Sequence, residues 1–436
     1  MRVAVIGAGV AGLTAAYELS KNNKDVVVFE KEAHVGGRTF TYRDNNLKID
    51  SGAVFFTDFY PTLKKYILEL GLSDKIYSIP HLVNLMTYEK QYIFKLGGLK
   101  SLLCFPWLGF VDKLKLIKLG LVSARIKSKN PLSDLEKLAK LDGQSIYDFM
   151  LQHTSRDCYD YLARTSTEPY YYWSAKEASS AIFQILIPSI PFAKFHTFLD
   201  GMDTICKSLA RNLKDIRLNS AVVKVFENEK NRFTLETKNG NETFDQIIFS
   251  TPAPITHELV KDLSSSLVSD YKKNFLKKIK YAANVNVAFC MSHQDSKKIE
   301  CFSQPTGDAL DGLAALVVHR HRNRKFIEKN GEKEVLSAYF LDSISKKMLK
   351  QSDEEILKTT EDYLRKFYPH IEKKIELITV MRRELAIPIP VPGHFKDCLE
   401  IQRLQRGPIV FAGDYLMSSS IEGALESARR AVTSLD

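Results

Sequence analysis

The fold of this 436-residue chain is decided near its start, in the stretch Val3-Ala4-Val5-Ile6-Gly7-Ala8-Gly9-Val10-Ala11-Gly12. An apolar run typical of a buried strand ends at a glycine-rich turn, and Leu13–Ser20 then shows helical periodicity. A second apolar run, Val26–Phe29, ends at the acidic Glu30. A strand, a G-x-G-x-x-G turn, a helix and a second strand followed by an acid form the fingerprint of a dinucleotide-binding βαβ unit.

The positions of this fingerprint have separate physical roles. Gly7 permits the tight turn, Gly9 lets the backbone approach a pyrophosphate, and Gly12 lets the helix pack close to the sheet. The helix N-terminus offers N–H groups and partial positive charge to the phosphates. Glu30 is expected to accept hydrogen bonds from ribose hydroxyls, and its charge disfavours NADP. The predicted cofactor contacts in this unit are Gly7, Gly9, Val10, Ala11, Gly12, Glu30 and Lys31.

Two short motifs extend the unit beyond what a plain NAD domain needs. In Val35-Gly36-Gly37-Arg38-Thr39, the paired glycines allow the backbone to pass close to a ligand, and Arg38 is placed to pair with phosphate. In Asp50-Ser51-Gly52-Ala53, the small residues suit a backbone packed against a flat ring. Gly37, Arg38, Gly52 and Ala53 are therefore further candidate contacts.

A fourth motif lies at the far end of the sequence. An apolar strand ends in Gly413-Asp414, and a helix is predicted from Ile421 to Val432. Asp414 can hold a polyol hydroxyl, and the helix N-terminus can stabilise negative charge on a reduced ring. This combination suits a flavin, with Gly413, Asp414, Ile421 and Ala424 as contacts.

With these motifs at both ends, the sequence resembles the FAD-dependent amine oxidoreductase superfamily, which includes monoamine and polyamine oxidases, protoporphyrinogen oxidase and the carotenoid desaturases. The runs that carry the resemblance are Glu30…Gly36-Gly37-Arg38-Thr39 and Gly413-Asp414…Ile421-Glu422-Gly423-Ala424. The resemblance implies an α/β fold. A Rossmann-like FAD-binding domain is assembled from discontinuous segments, and a second mixed α+β substrate domain bears a helical cap. The expected boundaries are 1–75, 205–260 and 398–436 for the first domain, and 76–204 and 261–397 for the second.

The resemblance also implies site details. The backbone at Val222 would meet the adenine, and FAD would be bound non-covalently because no cysteine lies near the terminal motif. Three positions depart from the amine oxidase pattern. Asn286 aligns where many members have a lysine near flavin N5, Ser420 replaces one wall of an aromatic cage, and Arg382 and Arg383 replace a tryptophan.

An aromatic cluster supplies the remaining pocket candidates, Tyr171, Tyr172 and Trp173, together with Asn286 and Ser420. This cluster suits either a pocket for a flat, apolar molecule or the core of the second domain. The resemblance implies an FAD-dependent oxidoreductase that transfers hydride to flavin N5 from a C–H bond of a fairly large, apolar or cyclic substrate. A ring amine, a porphyrinogen or pyrrole-like compound, or a polyene would fit, with oxygen or another electron acceptor. The alternatives are a non-redox flavin isomerase or mutase, an amine oxidase acting on simple amines, and a carrier resembling the Rab escort and GDP-dissociation-inhibitor proteins.

Composition is ordinary for a soluble globular protein, with 44% apolar and 26% charged residues. The six cysteines are scattered without a C-x-x-C pair or zinc-ligand spacing, which indicates free thiols, no metal site and a reducing compartment. The sequence starts on a strand and lacks the apolar segment of a signal peptide, so a cytoplasmic location is expected.

Positive charge is concentrated in residues 89–130, where nine Lys and Arg face two acids around the apolar run Ser101–Val111. No nucleic-acid-binding motif accompanies this segment. It is interpreted as a helical cap with solvated lysines, and peripheral contact with an anionic membrane stays open. Residues 60–150 as a whole are predicted to be mainly helical. The pair His319 and His321, among arginines, is predicted to form a solvated basic face.

Overall fold

The computed structural model describes residues 1–80, 82–95, 99–228, 232–296, 299, 302–329, 333–369, 371 and 375–435. The strands of these residues are β1 Arg2–Ile6, β2 Asp25–Phe29, β3 Thr41–Asp44, β4 Leu47–Asp50, β5 Phe56–Thr57, β6 Ile76–Ile79, β7 Leu82–Met86, β8 Gln91–Lys95, β9 Phe195–Phe198, β10 Asp215–Arg217, β11 Val222–Glu227, β12 Phe233–Thr237, β13 Gly240–Phe244, β14 Gln246–Phe249, β15 Tyr281–Ser292, β16 Phe302–Pro305, β17 Leu313–Val318, β18 Lys333–Phe340, β19 Glu376–Pro388 and β20 Ile409–Phe411.

The α-helices of the same residues are α1 Val10–Lys21, α2 Pro61–Glu69, α3 Leu99–Leu103, α4 Phe110–Ser123, α5 Leu135–Leu141, α6 Ile146–His153, α7 Arg156–Cys158, α8 Glu168–Tyr171, α9 Ser180–Leu186, α10 Thr204–Ala210, α11 Ala253–Val260, α12 Asp270–Lys278, α13 His293–Ser296, α14 Arg324–Lys329, α15 Asp342–Met348, α16 Asp353–Phe367, α17 His394–Leu404 and α18 Ile421–Thr433.

Five parallel strands from widely separated parts of the chain form one sheet, which we call the nucleotide sheet. Their order is β10-β2-β1-β14-β20, and Val5 on β1 lies between Val28 and Ile248 on its two neighbours. Helices α1 and α18 cover one face, where Leu13 and Leu425 are fully buried in the same apolar cluster. The βαβ unit predicted from the sequence is therefore present, and its carboxyl strand ends meet at one edge.

A second sheet of seven strands is mostly antiparallel, in the order β19-β15-β18-β17-β16-β7-β8. Its inner strands β15, β18 and β17 are buried along almost their full length, and the polar side chains among them include Asn284 and Asn286. Helix α16 packs on one face through Ile356 and Leu364 and begins with a capping box between Ser352 and Glu355. Helices α4 to α9 contribute residues to the largest apolar cluster among the described residues.

The structure corrects the prediction that residues 60–150 are mainly helical. Residues 76–79, 82–86 and 91–95 are strands, and β7 pairs with both β8 and β16. The basic segment 89–130 thus begins in a strand and becomes helical only in α3 and α4. Pairing with a strand more than 200 residues away stabilises β7, and no local pattern reveals such a partner.

One smaller expectation also changes. His319 and Arg322, assigned to a solvated face, are buried, and Arg322 forms an ion pair with the buried Asp50. The five described cysteines are free thiols, and Cys301 lies outside the described residues.

Candidate cofactor and substrate site

The glycines of the first motif divide into two classes. A Cβ on Gly12 would lie 1.9 Å from the carbonyl oxygen of Gly7, and a Cβ on Gly7, whose φ is +108°, would meet Ser250 Oγ at 2.9 Å. At Gly9, no atom lies within 4 Å of the equivalent position. Gly7 and Gly12 are therefore required by the packing of the protein itself, whereas Gly9 faces open space at the N-terminus of α1.

Glu30 lies beside this opening, just after β2. One of its carboxylate oxygens, Oε2, accepts a hydrogen bond from the Ala8 amide at 2.8 Å, and Oε1 accepts one from the Glu32 amide at 3.0 Å. A carboxylate has about four acceptor positions, so each oxygen can still accept from a hydroxyl group. The neighbouring Lys31 side chain is exposed and pairs with Glu32 at 3.3 Å.

The second and fourth motifs meet directly. The Arg38 guanidinium binds both carboxylate oxygens of Asp414, at 2.6 and 2.7 Å, and donates to the Ala386 carbonyl at 3.1 Å. Burial disfavours the arginine's charge, but Asp414 outweighs it and raises the pKa of Arg38. The sequence predicted a ligand contact for each of these residues, but it did not predict that they pair with each other.

The third motif packs against the second. A Cβ on Gly52 would lie 2.1 Å from the Arg38 carbonyl oxygen, which accepts a hydrogen bond from the Ala53 amide at 3.2 Å. Gly37 is in turn close to the first motif, because its Cβ position lies 3.3 Å from the Gly9 Cα. The structure thus brings all four motifs to the same edge of the nucleotide sheet.

Helix α18 begins at this edge. Ser420 caps it, accepting from the Gly423 amide at 3.0 Å, and Ile421 and Ala424 are almost completely buried in its first turn. The buried Glu422 points elsewhere and accepts from the amides of Thr62 and Leu63, both at 2.9 Å, at the start of α2.

Two other predicted cofactor contacts are Gly413, whose amide donates to Ser427 Oγ of α18 at 2.9 Å, and Val222. A Cβ on Gly413 would meet the Tyr415 ring at 2.5 Å. Val222 opens β11, is half-buried and contacts the largest apolar cluster. These two residues therefore support the site through packing, and their contact with a ligand stays a prediction.

Asn286 touches the third motif from the seven-stranded sheet. Its Nδ2 donates to the Asp50 carbonyl at 3.1 Å, and the Tyr339 hydroxyl donates to the same oxygen at 3.3 Å. Asn286 is fully buried, and its Oδ1 has no hydrogen-bond partner among the described residues. The Tyr339 ring lies parallel to that of Tyr172, with centroids 6.2 Å apart. This chain of contacts joins the aromatic cluster to the Asp50–Ala53 segment.

Tyr172 has an unusual backbone. Its φ is +64°, a left-handed conformation that is costly for a bulky residue and is found preferentially at functional sites. The loop is held by the buried Glu168, whose carboxylate accepts from the Ala175 amide at 2.9 Å and from Arg164 at 3.2 Å. Burial raises the pKa of Glu168, and the charge of Arg164 opposes this shift.

The cluster residues differ in burial. Trp173 is 1% exposed and stacks on Tyr171 with centroids 4.9 Å apart, whereas Tyr170, Tyr171 and Tyr172 all keep partly exposed surface. Desolvation nevertheless raises the pKa of each tyrosine, that of Tyr171 to about 12. Trp173 is therefore packed in the core, and a pocket role for Tyr171 and Tyr172 stays a prediction.

Several residues at the site were not identified from the sequence as contributors to it. Arg383 contacts the second and third motifs, Glu168 holds the aromatic loop, and Tyr339 and the Arg322–Asp50 pair support the third motif. Apart from Glu168, whose partners Arg164 and Ala175 are four and seven positions away, each depends on contacts between distant segments. The only local signal was the unusual Arg382-Arg383 pair.

Comparison with known proteins agrees with the resemblance carried by the sequence motifs. The sequence profile of the flavin-containing amine oxidoreductases matches residues 10–435. Protoporphyrinogen oxidase 2 of Arabidopsis thaliana is 26% identical over 334 residues, covering 64% of this chain and 62% of the plant protein, which is less than two thirds of its length. The 15-cis-phytoene desaturase of Capsicum annuum is 22% identical over 98% of this chain and 76% of its own.

The solved structures show the same fold. A putative protoporphyrinogen oxidase from Exiguobacterium sp. superimposes with a TM-score of 0.77 at 18% identity, covering 99% of this chain and 98% of the other. The mixed α/β architecture predicted from the sequence is therefore confirmed.

The residues at the sheet edge fit a flavin dinucleotide. The space in front of Gly9 accommodates a group that a side chain would displace, and the Glu30 carboxylate keeps acceptor capacity beside it. Among the described residues, no group of three or more His, Cys, Asp or Glu side chains is arranged to hold a metal ion.

Proposed function

Because the chain belongs to the flavin-containing amine oxidoreductases, we propose that it is an FAD-dependent oxidoreductase acting on a fairly large, apolar or cyclic substrate. The observation that carries the proposal is the meeting of Arg38 and Asp414, 376 positions apart, at the sheet edge that also holds Gly9 and Glu30. One ligand that spans this edge would contact all of these groups.

Bound FAD would supply the redox chemistry by accepting a hydride at its ring. The protein binds and orients it. The Gly9 turn and the N-terminus of α1 would hold the diphosphate, Glu30 the adenosine ribose, and Asp414 a hydroxyl of the ribityl chain. Non-covalent attachment is part of the proposal. Acid precipitation should release FAD into the supernatant, and flavin retained in the pellet would contradict it.

The proposed substrate class follows from the side of the site that carries the aromatic cluster Tyr170–Trp173, which we call the cavity side. Tyr170, Tyr171 and Tyr172 present aromatic surface, whereas the capping Ser420 offers no aromatic wall. A flat or polyene molecule fits this surface better than a simple amine, which needs a cage to orient its nitrogen. The substrates in the names of two relatives, protoporphyrinogen and phytoene, fit the same class.

The test is anaerobic bleaching of the flavin by candidate substrates, followed by reoxidation with oxygen or another acceptor. Bleaching by a cyclic or polyene compound supports the proposal. Rapid release of peroxide from simple amines, at kcat/KM of about 10⁴ M⁻¹s⁻¹ or more, contradicts the substrate class. Turnover without any acceptor would identify a non-redox isomerase, and a purified protein without flavin would favour a carrier.

We also propose a division into two domains. The nucleotide sheet takes its strands from residues 2–29, 215–249 and 409–411, and the seven-stranded sheet takes its strands from 82–95 and 281–388. These ranges support an FAD-binding domain of 1–75, 205–260 and 398–436 and a substrate domain of 76–204 and 261–397. Limited proteolysis with and without FAD tests the division, because FAD should protect only the boundaries that it bridges.

Helix α4 supports the proposed peripheral contact with a membrane. Phe110, Val111, Leu114, Leu121 and Val122 share one face and are each at least half exposed. Lys118 and Arg125 lie on the same face, which suits an anionic lipid surface. None of the described helices combines the length and apolar character needed to cross a bilayer. We propose that the protein docks on an anionic membrane surface through this face, and the cytoplasmic location stays a prediction.

A further inference from the structure

Two adjacent arginines on β19 have opposite surroundings. Arg382 is exposed and pairs with Asp353 at 2.6 Å. Arg383 points to the other face of the strand, as alternation requires. There its Nε donates to the Ser51 carbonyl at 3.2 Å, and its Nη2 donates to Ser51 Oγ at 2.7 Å and to the Gly37 carbonyl at 3.2 Å.

The acceptors of Arg383 are all uncharged. Among the described residues, no carboxylate lies within ion-pair distance of it, whereas the nearby Arg38 is neutralised by Asp414. Burial lowers the pKa of Arg383 and the charge of Arg38 lowers it further, while the charge of Glu32, which lies outside ion-pair distance, opposes both. A partly buried cation without a counterion is unfavourable unless something else compensates for its charge.

The geometry leaves one edge of this guanidinium free. Its hydrogen bonds use Nε and Nη2 only, so Nη1 donates to none of the residues in the described ranges. The anchoring residues belong to the candidate site. Ser51 lies in the segment predicted to pack against a flat ring, and Gly37 lies against Gly9 at the proposed diphosphate turn. The free edge is thus held where these two regions meet.

We propose that Arg383 is a cofactor-binding residue whose Nη1 edge pairs with an anionic group of bound FAD. The inference rests on the proposed function. FAD offers two such groups in this region, the diphosphate and the ring when it is reduced and negatively charged. Both are oxygen- or nitrogen-centred anions that a guanidinium binds well.

Arg382 provides a matched control on the same strand. We would prepare R383M, R383K and R382M, remove the flavin, and measure the dissociation constants of FAD and of riboflavin, which lacks phosphate. The midpoint potential of each reconstituted protein would also be measured. R383M is expected to differ from R382M at least tenfold in the FAD dissociation constant or by at least about 30 mV in the midpoint potential, and R383K should recover part of the loss because it keeps the charge.

The two sources give different results. If the diphosphate is the partner, R383M weakens FAD binding and leaves riboflavin binding and the potential unchanged. If the reduced ring is the partner, the potential falls by about 30 mV for each tenfold loss of preference for the reduced form. R383M and R382M with equal values throughout would overturn the inference, as would equal losses of FAD and riboflavin binding at an unchanged potential. Failure of the wild-type protein to bind FAD would instead contradict the proposed function.

Discussion

The two sides of the site, the nucleotide side around Gly9 and Glu30 and the cavity side around the aromatic cluster Tyr170–Trp173, are held together by different kinds of contact. On the nucleotide side, backbone contacts backbone, since Gly12 presses on the Gly7 carbonyl and Gly52 on the Arg38 carbonyl. On the cavity side, aromatic rings stack on one another, and the strained Tyr172 lies in a loop held by Glu168. Backbone contacts of this kind allow no added atom, whereas a side-chain surface can change shape without loss of the fold. Small substitutions should therefore lower the stability of the protein when they fall in the first region, whereas in the second region the fold and FAD binding should tolerate them.

The largest effect is expected from Gly12→Ala. Its Cβ would overlap the Gly7 carbonyl, so we expect the free energy of unfolding to fall by about 3 kcal/mol. Gly9→Ala should change it by less than about 1 kcal/mol, because the site is open, yet weaken FAD binding at least tenfold. Urea unfolding of the apoproteins and flavin titration measure the two effects. Equal destabilisation by both variants would remove the distinction between the two glycines.

Acid should lower the free energy of unfolding through two histidines that lie outside the nucleotide sheet. Burial lowers the pKa of His394 to about 4 and that of His321 to about 3. Between those values and about 6.5 the unfolded chain binds protons that the native chain does not, so stability rises with pH. Acidification from pH 6.5 to 4 should lower the free energy of unfolding by about 3 kcal/mol through His394 alone. His394→Gln should flatten this dependence, and substitution of the exposed His153 should not. An unchanged slope in His394→Gln would contradict the assignment.

Glu30→Ala tests the polar part of the nucleotide side. The variant loses a carboxylate that accepts two backbone hydrogen bonds, and we expect FAD binding to weaken by about 1–3 kcal/mol. Asp25→Ala, at the exposed start of the same strand, is the control. Flavin titration of both apoproteins measures the difference, and unchanged affinity in Glu30→Ala would remove this residue from the site.

Tyr172→Leu tests the tolerance of the cavity side. Loss of the ring removes the stacking on Tyr339, so kcat/KM for the best substrate should fall about tenfold, while FAD affinity stays within about twofold. Tyr172→Phe keeps the ring and should retain most of the activity. A parallel loss of FAD binding and turnover would show that the two sides are not independent.

The smallest effect on stability is expected on the exposed face of α4. Phe110→Glu combined with Leu121→Glu should change the free energy of unfolding by less than about 0.5 kcal/mol and abolish flotation with anionic vesicles. Leu68→Glu, at an exposed leucine on α2, is the control. Wild-type binding should weaken with salt, because surface charges are screened within about 8 Å at physiological ionic strength. If the wild-type protein does not float with anionic vesicles at low salt, the proposed membrane contact is wrong and α4 serves only as a helical cap.

The sequence allowed the nucleotide side to be predicted because its determinants are local. Gly7, Gly9, Gly12 and Glu30 lie within one βαβ unit, and spacing alone indicates their roles. The ion pair between Arg38 and Asp414, the position of Arg383 and the strands at residues 76–95 depend on which distant segments meet. The separation of Trp173 from the tyrosines beside it depends on the conformation of one residue, Tyr172, which composition does not reveal.

The nucleotide sheet cannot be completed until late in translation, because its strand β20 lies near the end of the sequence. Asp414 follows Arg38 by 376 positions, so at about 5–20 residues per second the carboxylate leaves the ribosome roughly 20–75 s after the arginine. Until then β14 has no neighbour on the side that β20 will occupy, and an unpaired strand edge invites aggregation. The nascent chain therefore exposes this edge until β20 is made, and the FAD contact proposed for Asp414 can form only after translation has passed residue 414.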